Sequence, residues 1–112
     1  MKLDAYTVVF LRRPQDAPDL SEHELDVLQE GHLAFHARMR TEGHVVFNGP
    51  LRDQPDIALR GIAIYRRSVE ETRRLAQEDP SVQAGRLVPD VCTWLMPAGA
   101  LGDRPAASVE EG

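Results

Sequence analysis

Two histidines and one aspartate stand out in this 112-residue sequence for the chemistry they could do. An imidazole has a reference pKa of ~6.5, so it can take and return a proton at working pH. At ~100° per residue, Leu25, Leu28, Phe35 and Met39 fall within about 80° of one another on a helix. His32 lies in the middle of that apolar stripe, so its ring faces the interior. Two readings fit: a core histidine bonded to a carbonyl or a neighbour, and a general base in a partly apolar pocket. His36 lies one turn on, at the edge of the same face. An i, i+4 histidine pair can bind a metal, but a site needs a third ligand. None is close in sequence, and His23 falls on the opposite side of the helix, so no metal is expected. Asp79 precedes Pro80, a standard N-cap arrangement. One carboxylate oxygen can cap while the other orients a histidine. No nucleophile is evident, since Ser21 and Ser68 read as helix caps and Cys92, in an apolar run, as a buried small hydrophobe.

The elements that must position these groups follow from local pattern. Leu3–Leu11 is β-branched and aromatic and reads as a strand. Arg12–Leu20, with Pro14 and Pro18, is a loop. Ser21 and Glu24 form a capping box, and Gly43 sits where a C-terminal glycine cap belongs, bounding a long amphipathic helix. His44–Asn48 is a short strand, Arg52–Asp56 a polar turn and Ala58–Tyr65 a third strand, in which Gly61 marks a bulge or a close backbone approach. Ser68 and Glu71 open a second helix that ends before Pro80. Asp79-Pro80 starts a turn of helix that stops at Gly85. Val88–Met96 is the last strand, with Pro89 suited to an edge. The order βαββαβ is the ferredoxin-like arrangement: a four-stranded antiparallel sheet with two helices on one face. Residues 1–97 are read as one α+β domain. Residues 98–112, rich in Ala, Gly and Pro, are read as a mobile tail that can be removed without loss of folding.

Both faces of the first strand are apolar, Tyr6, Val8 and Phe10 against Thr7, Val9 and Leu11, and the last strand likewise sets Val91, Thr93 and Leu95 against Cys92, Trp94 and Met96. Two helices cover only one face, and a large bare apolar face is unusual on a monomer. A homodimer with sheets packed face to face is therefore expected, with a cavity between sheet and first helix or between the sheets. Composition excludes other classes. The formal charge of −5 leaves no basic face for nucleic acid. No apolar run reaches the ~18 residues that a membrane-spanning helix needs. The single cysteine rules out an internal disulfide. An acidic residue at position 4 speaks against a signal peptide, so a cytoplasmic location is expected. No nucleotide-binding or other cofactor motif is visible, and no cofactor is expected.

These residues assemble into a known pattern. His32-Leu33-Ala34, Glu42-Gly43, Asn48-Gly49-Pro50-Leu51, Gly61, Ser68-Val69-Glu70-Glu71, Asp79-Pro80, Ala84-Gly85, Val91 and Trp94, in that order, resemble the YCII-related (YciI-like) family. The resemblance spans roughly residues 3–96. It implies a dimeric α+β barrel and a catalytic His-Asp dyad on His32 and Asp79. A dyad without a nucleophile points to proton transfer next to a carbonyl: lyase, isomerase or dehydrohalogenase chemistry on a small carbonyl, lactone or aromatic-derived substrate. The loop Arg12–Leu20 lacks an arginine that many relatives carry before the helix histidine, and Leu28 stands one turn before His32. A substrate carboxylate would then need Arg12, Arg13 or Arg38. The candidate substrate contacts are His36, Arg38 and Arg12. The alternative is a non-catalytic ligand-binding or accessory subunit with the same pocket. A cofactor-free oxygenase is a third option that no residue singles out.

Overall fold

The computed structural model describes residues 1–111. The elements are β1 (Lys2–Arg12), α1 (Glu22–Thr41), β2 (Val45–Pro50), β3 (Leu59–Tyr65), α2 (Val69–Ala76), α3 (Pro80–Gln83), β4 (Val88–Pro97) and β5 (Ala107–Glu110). The sheet runs β2-β3-β1-β4, every pairing antiparallel, which is the ferredoxin-like order. Local chemistry sets the boundaries. Ser21 and Glu24 exchange both hydrogen bonds of the capping box at the start of α1. Gly43, at φ +80, ends that helix in a Schellman motif, with the Gly43 amide donating to the Arg40 carbonyl and the His44 amide to that of Met39. Pro89 lies on the edge strand β4, where its missing N–H costs the sheet nothing.

The helices cover one sheet face, over a core of Val9, Leu11, Phe35, Met39, Val45, Ala63, Tyr65 and Leu87. Only the C-terminal half of α1 packs there. Its stripe was expected to be buried throughout, yet Leu25 is exposed, as is every residue from Glu22 to Val27. Helical periodicity identifies a face but not how far along the helix a sheet runs beneath it.

The opposite face holds a second cluster, Tyr6, Ile64 and Met96. Here the expected structureless tail from residue 98 needs correction. The chain crosses β1 and returns as β5, pairing Lys2–Ala5 with Ala107–Glu110. That stretch of β1 lies beyond the part paired with β3, so β5 fills an open lane in the sheet. Leu101 packs on the second cluster, the Tyr6 hydroxyl donates to the Asp103 carbonyl at 2.8 Å, and Arg66 grips the Asp103 carboxylate through two hydrogen bonds of 2.8 and 2.7 Å. Gly102 and Gly99, which break any helical pattern, supply positive φ for the turns of this strap. The domain thus continues past residue 97. Gly112, the last residue of the expected tail, lies outside the described residues. The strap leaves Phe47 and Trp94 exposed on the same face. Cys92, expected to be buried, is also exposed, because the face its edge strand presents there is open.

Candidate active site

Asp79 sits at the N-terminus of α3 and is almost completely buried, at 1% exposure. Its two oxygens divide the work. Oδ1 accepts from the Ser81 amide at 2.9 Å and caps the helix. Oδ2 lies 2.7 Å from His32 Nδ1. The cap and the histidine contact therefore coexist on one side chain. Burial works to raise the Asp79 carboxyl, but the hydrogen bond with His32, the nearby His36 ring and the Ser81 amide together prevail and hold it down at about 2. Asp79 is thus a carboxylate at neutral pH. It can only accept, so His32 Nδ1 carries the proton and donates it. The Nε2 lone pair is then free, and Nε2 has no partner among the described residues.

The pairing depends on a close approach of α1 and α3. A Cβ on Gly31 would lie 3.1 Å from Pro80 Cγ, tighter than packed side chains normally allow. Glycine at the position before His32 lets the two elements meet at hydrogen-bonding range.

His36 lies deeper than its place on the stripe's edge suggested. Its side chain is more buried than that of His32, and both of its ring nitrogens are buried without a partner. Its Nε2 stands 3.6 Å from Asp79 Oδ2, too long for a hydrogen bond. Its ring packs edge-on against His32 at 4.4 Å and against Phe35 at 5.1 Å, which fixes the His32 plane from behind. His32, His36 and Asp79 together place three candidate metal-ligand atoms within 4.8 Å of one another. The third ligand that the sequence seemed to lack comes from α3, 43 residues beyond His36 in the chain. The 2.7 Å contact between His32 and Asp79 is a direct hydrogen bond, however, with no room for an ion between those two atoms.

A cleft of about 350 Å³ opens in front of His32, between α1 and the sheet. Helix α1 contributes Gln29, His32, Leu33, His36 and Arg40, the strands contribute Leu11, Asn48, Gly49, Pro50, Arg60, Gly61 and Ile62, and Arg13, Ser81 and Leu87 complete the lining. Gly61 is again a close approach, since a Cβ there would sit 3.0 Å from the Gly49 carbonyl oxygen. Of Arg12, Arg13 and Arg38, the arginines expected to meet a substrate carboxylate, Arg13 alone lines this cleft. Arg12 is held by Asp56 and Asp90, each at 2.8 Å, and Arg38 by Glu78 at 2.8 Å while lying over the Phe35 ring. Arg40 and Arg60, which were not expected, line the cleft with Arg13. Arg40 was within reach of sequence reasoning, because 32, 36 and 40 form one i, i+4, i+8 ridge. Arg60 was not, because a strand bulge aims it.

No protein-family model and no curated protein sequence matches the chain. Among solved structures, the chain resembles 5-chloro-2-hydroxyhydroquinone dehydrochlorinase (TftG) of Burkholderia phenoliruptrix AC1100, solved in complex with 2,5-dihydroxybenzoquinone. The match has a TM-score of 0.54 and 18% identity, over 80% of this chain and 92% of that one. The shared property is the fold. A small mixed α+β domain of this architecture thus carries a lyase-type reaction in that protein, and no helix of the present chain is long and apolar enough to cross a membrane.

Proposed function

We propose that the chain is a YciI-like enzyme of the dimeric α+β barrel type, cytoplasmic and homodimeric. In this reading His32 and Asp79 transfer a proton on a small carbonyl, lactone or aromatic-derived substrate without a cofactor. The observation that carries it is the buried, ionised Asp79 at 2.7 Å from His32 Nδ1, with the opposite nitrogen unpartnered on a residue that lines a substrate-sized cleft. Asp79 fixes the tautomer and stabilises the imidazolium that forms. A proton on carbon next to a carbonyl passes to His32 Nε2. The electron pair left behind forms a carbon–carbon double bond and expels a leaving group such as chloride from the adjacent carbon, or is reprotonated elsewhere in an isomerisation. The resemblance to a dehydrochlorinase in fold agrees with the first outcome.

The exposed Phe47 and Trp94 support dimerisation through the uncovered part of the sheet face. The free Cys92 suits a reducing compartment. The deciding experiment offers 5-chloro-2-hydroxyhydroquinone and a set of enolisable lactones to the protein, reading chloride release and solvent deuterium uptake at carbon. Wild-type protein should turn over at least one of them, and His32→Ala, with an unchanged far-ultraviolet circular dichroism spectrum, should not. Turnover that survives in His32→Ala would overturn the reading.

A further inference from the structure

Of the twelve arginines, four have a carboxylate at ion-pair distance among the described residues; of the other eight, three share one cleft. Arg12, Arg38, Arg66 and Arg67 each lie within ion-pair distance of a carboxylate. Arg13, Arg40 and Arg60, the three that line the cleft, have no such partner among the described residues, and no aspartate or glutamate lines the cleft with them. The chain as a whole is acidic, at −5, so this concentration of positive charge runs against its surroundings.

Two features show that the arginines are placed there by the fold. Arg60 is the extra residue of a β-bulge: β1 and β3 pair Leu11 with Gly61 and then Arg12 with Leu59, skipping Arg60. A bulge re-aims one side chain, and here it brings Arg60 to the cleft beside Gly61. Arg13 follows β1, its amide bonded to the Ala58 carbonyl at 2.8 Å, so the two guanidinium-bearing residues leave neighbouring strands at the same end of the sheet. Arg13 Nε is buried and has no hydrogen-bond partner. Burial and the adjacent Arg86 and Arg60 all disfavour its charge. Like charges gathered in a partly buried cleft with an orphaned donor are stabilised by an anion, and a planar guanidinium matches a carboxylate best.

Resting on the proposed proton-transfer reading, we infer that the cleft takes a small organic carboxylate, held by Arg13 and Arg60, with its reacting carbon turned toward His32. The cleft's volume of about 350 Å³ lies at the lower end of the range for small-molecule sites, which suits a one-ring acid. Arg40 donates to Asn48 Oδ1 at 2.6 Å and serves as the wall next to His36, while Arg60 gives one longer bond, 3.3 Å from Nη1 to the Ile57 carbonyl, and keeps its other donors.

The test measures binding by titration calorimetry with benzoate and its uncharged isostere benzamide. Wild-type protein should prefer benzoate by about tenfold or more, the scale of one charge-assisted hydrogen bond. Arg60→Gln and Arg13→Gln should each lose most of that preference while leaving benzamide binding unaltered. Arg12→Gln, outside the cleft, should keep it, which separates this site from a general attraction of anions to surface arginines. If either cleft variant fails to fold, the other carries the comparison. Equal affinity for the two probes, no benzoate binding at millimolar concentration, or a preference that survives both cleft substitutions would overturn the inference. The readout is binding rather than turnover. Loss of turnover in His32→Ala judges the dyad, and loss of carboxylate preference in Arg60→Gln judges this site, so either can fail alone.

Discussion

Replacing Asp79 by Asn tests stability and tautomer control with one substitution. The asparagine carbonyl can still accept from the Ser81 amide, which Asp79 Oδ1 now does at 2.9 Å, so the cap of α3 survives. The amide nitrogen then faces His32 Nδ1, where Oδ2 now sits at 2.7 Å. An amide nitrogen donates and cannot accept. His32 must therefore carry its proton on Nε2, the atom that should be the base, and proton transfer should fall by about 10²–10⁴-fold. Stability follows from the carboxyl being held down at about 2 against an ordinary value of 3.8. At ~1.4 kcal/mol per pH unit, the ionised Asp79 contributes about 2 kcal/mol at pH 7. Because the folded-state value is depressed, that contribution is complete above about pH 5 and is lost as the pH falls toward 2. Urea unfolding of wild type and Asp79→Asn at pH 7, 5 and 3 reads it directly. The gap should be about 2 kcal/mol at pH 7 and roughly half of that at pH 3. A gap that stays constant with pH, or an Asp79→Asn protein with undiminished turnover, would refute the reasoning.

Gly31→Ala places a Cβ 3.1 Å from Pro80 Cγ and should push α3 back by a few tenths of an ångström. The helix gains roughly 0.5–1 kcal/mol from alanine, so the melting temperature should change little while turnover drops several-fold, and a parallel loss of both would show that the contact is only structural. Truncation after Pro97 removes the strap over Tyr6 and Met96 and strips Lys2–Ala5 of β5, leaving Leu3–Ala5 paired with β4 alone. Uncovering those side chains should cost about 3 kcal/mol or more, read as a melting temperature lower by more than about 10 °C, and an unchanged value would mean that the strap does not hold. Light scattering should find a dimer that Trp94→Asp weakens, because Trp94 is 45% exposed on the open sheet face, and a wild-type monomer at micromolar concentration would contradict it.

Much of this was already fixed by local chemistry in the sequence. The capping box at Ser21, the glycine stop at Gly43 and the Asp79-Pro80 helix start depend on hydrogen bonds within a few residues, so they are legible in the chain itself. The periodicity that put His32 on an inward face is equally local. What lay beyond local pattern needed contacts between distant segments. His36 gained its depth, and Asp79 its place beside both histidines, from α3 packing on α1 through Gly31. The strap from residue 98 reads as a tail because glycine and proline interrupt it. It is ordered by an open lane along β1 and by Arg66 gripping Asp103, neither of which exists until the sheet has formed. Which arginines reach the cleft was decided by pairing register: a single skipped residue in β3 brings Arg60 to the cleft, while carboxylates on β4 and the β2–β3 loop hold Arg12 away.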